Sequence, residues 1–163
     1  MKQNSVPHIL KSNDIQVMPE TEFIHRLNPN AVRHTRSLSS VLGMKRLGIH
    51  LVRVEPGKES TQFHLHHQEE EFIYIIAGKG IAEIGEAEIE VAVGDFMGFT
   101  APSLPHSLKN PFAQDLVYLM GGENRDFDIC DYPKLKKRQF RSNRIRHLVD
   151  WEALQFIGGT ATD

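Results

Sequence analysis

The stretch HLHHQEEE, residues 64–71, places three histidines within four positions and follows them with three glutamates. Side chains two apart share one face of a strand, so His64 and His66 point the same way, with Gln62, while His67 points the other way. A turn through Gln68 and Glu69 would bring a glutamate at the head of the next run, EFIYIIAG, back beside the two imidazoles. Two imidazoles and a carboxylate suit a divalent transition metal, whereas calcium and magnesium prefer oxygen alone.

Further along, GDFMGFTAPSLPHSLKN (residues 94–110) supplies a third imidazole, His106, after a proline-containing loop. Asn110 follows at even spacing on the same strand face. The donor set accommodates Fe, Mn, Zn, Ni or Cu, and ligand type does not choose among them.

The surrounding text reads as short strands separated by turns. IHLVRV ends at Glu55-Pro56-Gly57, and later apolar runs are divided by Gly78-Lys79-Gly80, Gly85-Glu86, Gly94-Asp95 and Pro102-Ser103. This spacing predicts an antiparallel sandwich or barrel. Ile89, Val91 and Val93 alternate with Glu88, Glu90 and Ala92, as a half-buried strand requires, and a hairpin closes at Gly85-Glu86. FIYIIAG at 72–78 is apolar throughout, which predicts a strand covered on both faces. LVYLMGG at 116–122 has the same texture.

The 163 residues suffice for one domain, which buries roughly 70% of its unfolded surface. Nineteen basic and twenty-one acidic residues give no overall field for nucleic acid or an anionic membrane. One cysteine, Cys130, excludes an intrachain disulfide and a thiolate cluster, and reads as a small buried residue. No signal-peptide pattern and no span-length apolar run is present, so the expectation is a soluble cytoplasmic protein without membrane or nucleic-acid partners. Residues 1–40 are interrupted by Pro7, Pro19 and Pro29 and read as an N-terminal arm. Residues 41–121 read as the barrel core, and 122–163 as a C-terminal extension packing on it. The extension carries seven Lys or Arg between Lys134 and Arg146, a solvated face or a latch along the barrel, and ends in WEALQFIGG, apolar enough to predict docking.

The two histidine stretches together resemble the paired motifs of the cupin superfamily. Gly57, His64, His66, Glu71 and Gly78 follow the first motif, with one extra residue before His64. Gly94, His106 and Asn110 follow the second, although Ala101-Pro102-Ser103 stands where that motif has an inner P-x-G, and the loop is one residue longer. LGIHLVRVEPG, GDFMGF and Asp131-Tyr132-Pro133-Lys134 look like small single-domain bacterial cupins of unassigned activity. The resemblance implies an all-β double-stranded β-helix, a jelly-roll-like antiparallel barrel, with one metal in its mouth held by His64, His66, Glu71 and His106. Glu70 competes with Glu71, but Glu71 leaves the six residues before Gly78 that the motif requires. Parity then groups Glu71 with Ile73 and Ile75, and Glu70 with Phe72 and Tyr74.

His67 and Glu69 read as rim residues. Tyr74, Met97 and Phe99, with Phe63, are candidates to line a pocket, and Gln62 and Asn110 to contact the ligands, Asn110 alternatively bracing the turn at Pro111. The resemblance implies a mononuclear metalloenzyme acting on a small molecule, of dioxygenase or isomerase type. A non-catalytic ligand-binding barrel with an anchoring metal is the alternative. Glu70, Tyr74 and Gln62 are candidates for proton transfer, and the apolar candidates lean towards an aromatic substrate over a sugar. A strand apolar on both faces predicts a homodimer.

Overall fold

The computed structural model describes residues 7–158, so the outermost residues of the expected arm and extension lie outside it. In chain order the strands are β1 (Thr21–His25), β2 (Asn28–Ser37), β3 (Leu47–Val54), β4 (Leu65–His66), β5 (Glu71–Ala77), β6 (Lys79–Ile84) and β7 (Ala87–Ala92). They continue as β8 (Phe96–Phe99), β9 (His106–Lys109), β10 (Leu116–Glu123), β11 (Phe127–Tyr132), β12 (Lys137–Ser142) and β13 (Ile145–Asp150). One wall is a six-stranded sheet in the order β1-β2-β3-β10-β5-β8. The opposite wall joins a three-stranded sheet, β7-β6-β9, to a four-stranded one, β13-β12-β11-β4. Every strand pair is antiparallel. This is the expected all-β double-stranded β-helix.

Alternation along the strands decides which residues meet between the walls. Val52 and Val54 of β3, Ile75 of β5, and Leu116 and Tyr118 of β10 face inward and are almost completely buried, against Ala82 of β6 and Leu108 of β9. Each Val, Leu or Ile buried in this way contributes about 1.5–3 kcal/mol. The outward Arg53 pairs with Glu20, Glu55 and Asp115, and Glu20 also holds Arg36, tying the chain ahead of β1 to the sheet. These pairs are partly solvated and contribute about 0–1 kcal/mol each, so the interior burial dominates.

Three expectations need correcting. The strand FIYIIAG is covered on one face only: Tyr74 and Ile76 are 42% and 43% exposed, because the N-terminal segment pairs with β3 and leaves the outside of β5 free. On β7 only Val91 reaches the core, while Ile89 and Val93 stay exposed at the edge of the three-stranded sheet. The chain after β13 does not dock, since Phe156 and Ile157 are exposed beyond the turn at Trp151–Ala153. No helix among the described residues is long and apolar enough to cross a membrane.

Gly78 joins β5 to β6 at φ +75°, and a Cβ there would lie 2.2 Å from the Asp115 carbonyl oxygen. Gly57 has a similar φ of +77° but open space around it. Gly78→Ala is therefore expected to destabilise the protein by about 3 kcal/mol or more, against about 1 kcal/mol for Gly57→Ala. Urea denaturation of the two variants checks this, and equal losses would mean that the clash at Asp115 is relieved by backbone movement.

Candidate metal centre

The two histidine stretches meet through their backbones. The N–H of His64 donates to the carbonyl of His106 at 3.0 Å, and the N–H of His106 donates back to His64 at 2.7 Å. In such a reciprocal antiparallel pair the two side chains emerge on the same face. Both rings accordingly point between the walls, with centroids 4.9 Å apart. His66, two residues on from His64, adds its ring at 4.9 Å. His67 turns away and bonds Asp131 at 2.9 Å.

Glu71 heads β5 and points inward with Ile73 and Ile75, whereas Glu70 is exposed. Its Oε2 lies 3.8 Å from the Nε2 of His64, 3.6 Å from that of His66 and 3.4 Å from that of His106. Gly122 stands opposite on β10, and a Cβ there would come within 3.1 Å of the Glu71 Cγ. A side chain at 122 would thus crowd the carboxylate. Atoms bound at about 2.0–2.2 Å to one ion sit roughly 3–3.5 Å apart; His64, Glu71 and His106 bring ligand atoms within 4.8 Å of one another, and His66 adjoins this group through Glu71.

The other nitrogen of each ring already has a partner. Nδ1–H of His64 donates to the Gln62 carbonyl at 2.9 Å, that of His106 to the Leu104 carbonyl at 3.3 Å, and that of His66 to Asp128 at 2.5 Å. A carbonyl can only accept, so it fixes a proton on Nδ1 of His64 and His106 and turns Nε2 of each ring toward Glu71, where it donates to the carboxylate when protonated and offers its lone pair to an ion when not. This is the arrangement by which ligand histidines are oriented. Phe99 stacks flat on His106, with centroids 3.5 Å apart.

The electrostatics follow. Burial, aided by the neighbouring His66 and His106, pushes His64 down to about 3 and keeps it neutral. Burial opposes ionisation of Glu71, but the His106 hydrogen bond and the three imidazoles outweigh it and hold the carboxyl at about 2. For His66 burial is likewise outweighed, here by the Asp128 and Glu71 carboxylates, and its pKa is raised. Three imidazole nitrogens and one carboxylate are a donor set that fits a divalent transition metal.

Several further residues were not legible in the motifs. Asp128, 1% exposed on β11, holds His66 and also accepts the Gln68 N–H at 3.2 Å. Cys130, two residues on, brings its sulfur within 4.8 Å of ring nitrogens of His64 and His66, and burial pushes the thiol pKa up. Glu69, expected at the rim, is buried in an ion pair with Arg141 and accepts the Arg125 N–H at 2.6 Å. Asp128 shares a strand face with Cys130, which the sequence marked only as a small buried residue, and nothing in the sequence paired β11 with β4.

The group lies in a cavity of about 890 Å³. Met97 and Phe99 line it, but Tyr74 is on the outer face. The Gln62 contribution is its carbonyl. The Asn110 side chain donates to the carbonyls of Val54 and Gln114 and accepts the Phe112 N–H, bracing the turn at Pro111. The wall is more basic than the apolar candidates predicted: Arg33, His25 and His50 enter from one side, and Arg141, Arg144 and Arg146 from the β12–β13 hairpin. The basic segment therefore forms part of the cavity wall.

A family model for the cupin domain matches residues 50–122. A crystal structure of a protein from Acidithiobacillus ferrooxidans, provisionally named a sugar phosphate isomerase, is 40% identical, covers 93% of this chain and 97% of its own, and superposes with a TM-score of 0.91. A sugar phosphate isomerase of the cupin superfamily from Silicibacter pomeroyi is 21% identical, with 89% and 94% coverage and a TM-score of 0.78. A protein from Thermotoga maritima, provisionally named an oxalate decarboxylase, is 18% identical, with 68% and 96% coverage and a TM-score of 0.57. The last two carry the fold alone. A search of the curated proteins finds no match. The chain belongs to the cupin superfamily.

Glu71→Gln is expected to lose bound metal, and Glu70→Gln and His67→Ala to retain it, in elemental analysis of protein purified without chelator or histidine tag. A metal ion competes with the proton on His66, so affinity is weak below the raised pKa of that ring and full above it. Asp128→Asn removes a carboxylate that favours the imidazolium, which moves this threshold to lower pH. It also frees the ring, which lowers the affinity plateau about 10–100-fold. Chelator competition across pH measures both effects, and an unchanged profile would mean that Asp128 does not govern His66.

Proposed function

We propose that the protein is a metal-dependent isomerase of phosphorylated sugars, with His64, His66, Glu71 and His106 holding one divalent ion of Fe, Mn, Zn, Ni or Cu. The observation that carries this is a ligand-ready imidazole and carboxylate cluster inside a cavity whose wall supplies arginines and histidines. The name of the 40% identical relative supports the same reaction class. A bound divalent ion supplies Lewis-acid polarisation of a carbonyl or hydroxyl oxygen.

The chain's own groups serve the rest. Tyr118 is 1% exposed, and burial holds its hydroxyl at about 12, so it stays a proton donor to a substrate oxygen. Glu69, fixed by Arg141 and the Arg125 N–H, is a buried carboxylate in the cavity wall besides Glu71. It is our candidate for accepting the proton from the carbon next to the carbonyl. Glu70 and Tyr74 face away from the cavity.

Metal-loaded protein is expected to interconvert aldose and ketose phosphates, followed by NMR, and to stop on chelation. Glu69→Gln is expected to lower kcat at least 100-fold with metal content unchanged. Oxygen consumption with aromatic or keto substrates, without isomerisation, would replace this reading by a dioxygenase. Binding of sugar phosphates without turnover would favour the non-catalytic barrel.

The assembly proposed with this reading is a homodimer through the outer face of β5 and β8, where Tyr74 and Ile76 adjoin the exposed Phe96 and Val93. Sedimentation is expected to show a dimer at micromolar concentration and a monomer for Ile76→Glu. A monomeric parent would leave this face without a second copy to cover it.

A further inference from the structure

The hairpin of β1 and β2 turns three unusual side chains into the cavity together with β3. Arg33 of β2 is, among the described residues, the one arginine that is neither exposed nor paired with a carboxylate. Its guanidinium lies over the Phe23 ring at 4.7 Å, Nη1 makes a long contact of 3.5 Å to the Ser60 carbonyl, and Nε is buried with no partner. His50 of β3 also has a buried Nδ1 without a partner. His25 of β1 accepts the Leu27 N–H on Nδ1 at 3.2 Å, which leaves its Nε2–H as a donor.

These three are neighbours. Arg33 and His25 flank one Phe23 ring, at 4.7 Å and 6.2 Å, and His50 lines the same cavity; after burial, the charge of Arg33 also lowers the pKa of both histidines. Tyr118 lines the same cavity. All line the same cavity, and no acidic side chain of the hairpin or of β3 joins them there. Buried nitrogens without partners, here Arg33 Nε and His50 Nδ1, are costly, and native proteins keep few of them. An anionic ligand in this cavity would offer such nitrogens acceptors. Donors arriving from three strands suit a group with three terminal oxygens better than a planar carboxylate, which a single guanidinium fork would satisfy.

We propose that Arg33, His50 and His25 form a phosphate subsite, which holds the phosphate of the substrate while its carbonyl end lies at His64, His66, Glu71 and His106. This rests on the isomerase reading for the identity of the ligand, but binding of the phosphate group can be measured apart from it. Calorimetry with inorganic phosphate as the probe is expected to show binding to the metal-loaded protein that weakens at least tenfold in Arg33→Gln and at least threefold in His50→Gln. Metal content and circular dichroism should match the parent in both variants. His106→Ala, expected to lack the metal, should still bind phosphate.

Loss of phosphate binding in His106→Ala with full binding in Arg33→Gln and His50→Gln would put the anion on the metal and overturn the proposal. In the turnover assay, Arg33→Gln is expected to raise KM at least tenfold for whichever sugar phosphate the parent turns over. Failure of any sugar phosphate to turn over would sink the isomerase reading alone, because the calorimetric result does not depend on it.

Discussion

Two backbone hydrogen bonds between His64 and His106 hold the organisation of the centre. They join segments forty-two positions apart and oblige both side chains to emerge on one face, which neither segment could enforce alone. Once they form, the carbonyls of Gln62 and Leu104 fix the Nδ1 protons, so the same stretch of backbone sets where the rings are and which nitrogen they offer. Glu71 completes the group from the facing wall, with room left by Gly122.

The wall opposite the hairpin of β1 and β2 depends on a different kind of contact. Glu69 of the β4–β5 connection pairs with Arg141, and Asp131 of β11 pairs with Arg138 and His67, so these carboxylates hold the basic β12–β13 ribbon against the barrel. Glu69 and Asp131 are buried, and losing one partner of such a pair leaves a charge unsatisfied, at about 3–5 kcal/mol. The same residues keep Arg141 facing the cavity.

Parity made the central part legible in the sequence. An H-x-H pair and a glutamate at the head of an apolar strand carry their facing in their spacing, and Ile73 and Ile75 confirm the register of β5 by being inside. What stayed hidden came from long-range pairing. Asp128 reaches His66 across sixty-two positions, and no local pattern states that β11 runs beside β4. Arg33 looked like part of a polar arm because an unpaired arginine in a strand has no signature until its surroundings are known. The reading of FIYIIAG failed for a related reason: apolarity states what a strand could cover, and the covering element lay elsewhere. The aromatic candidates erred in proportion, since Met97 and Phe99 do line the cavity but Arg33, His25, His50 and Arg141 set its character.

The candidate ligand cluster and the wall around it are drawn from separate parts of the chain. The four candidate ligands fall between residues 64 and 106, whereas the basic wall comes from 25–50 and 141–146. Inheritance can therefore act on the two independently. Substitutions in the hairpin of β1 and β2 or in the β12–β13 ribbon alter the cavity wall while leaving the four candidate ligands as they were. A lineage built this way can diverge in substrate without reinventing its chemistry, and two relatives sharing every histidine of the centre need not share a substrate.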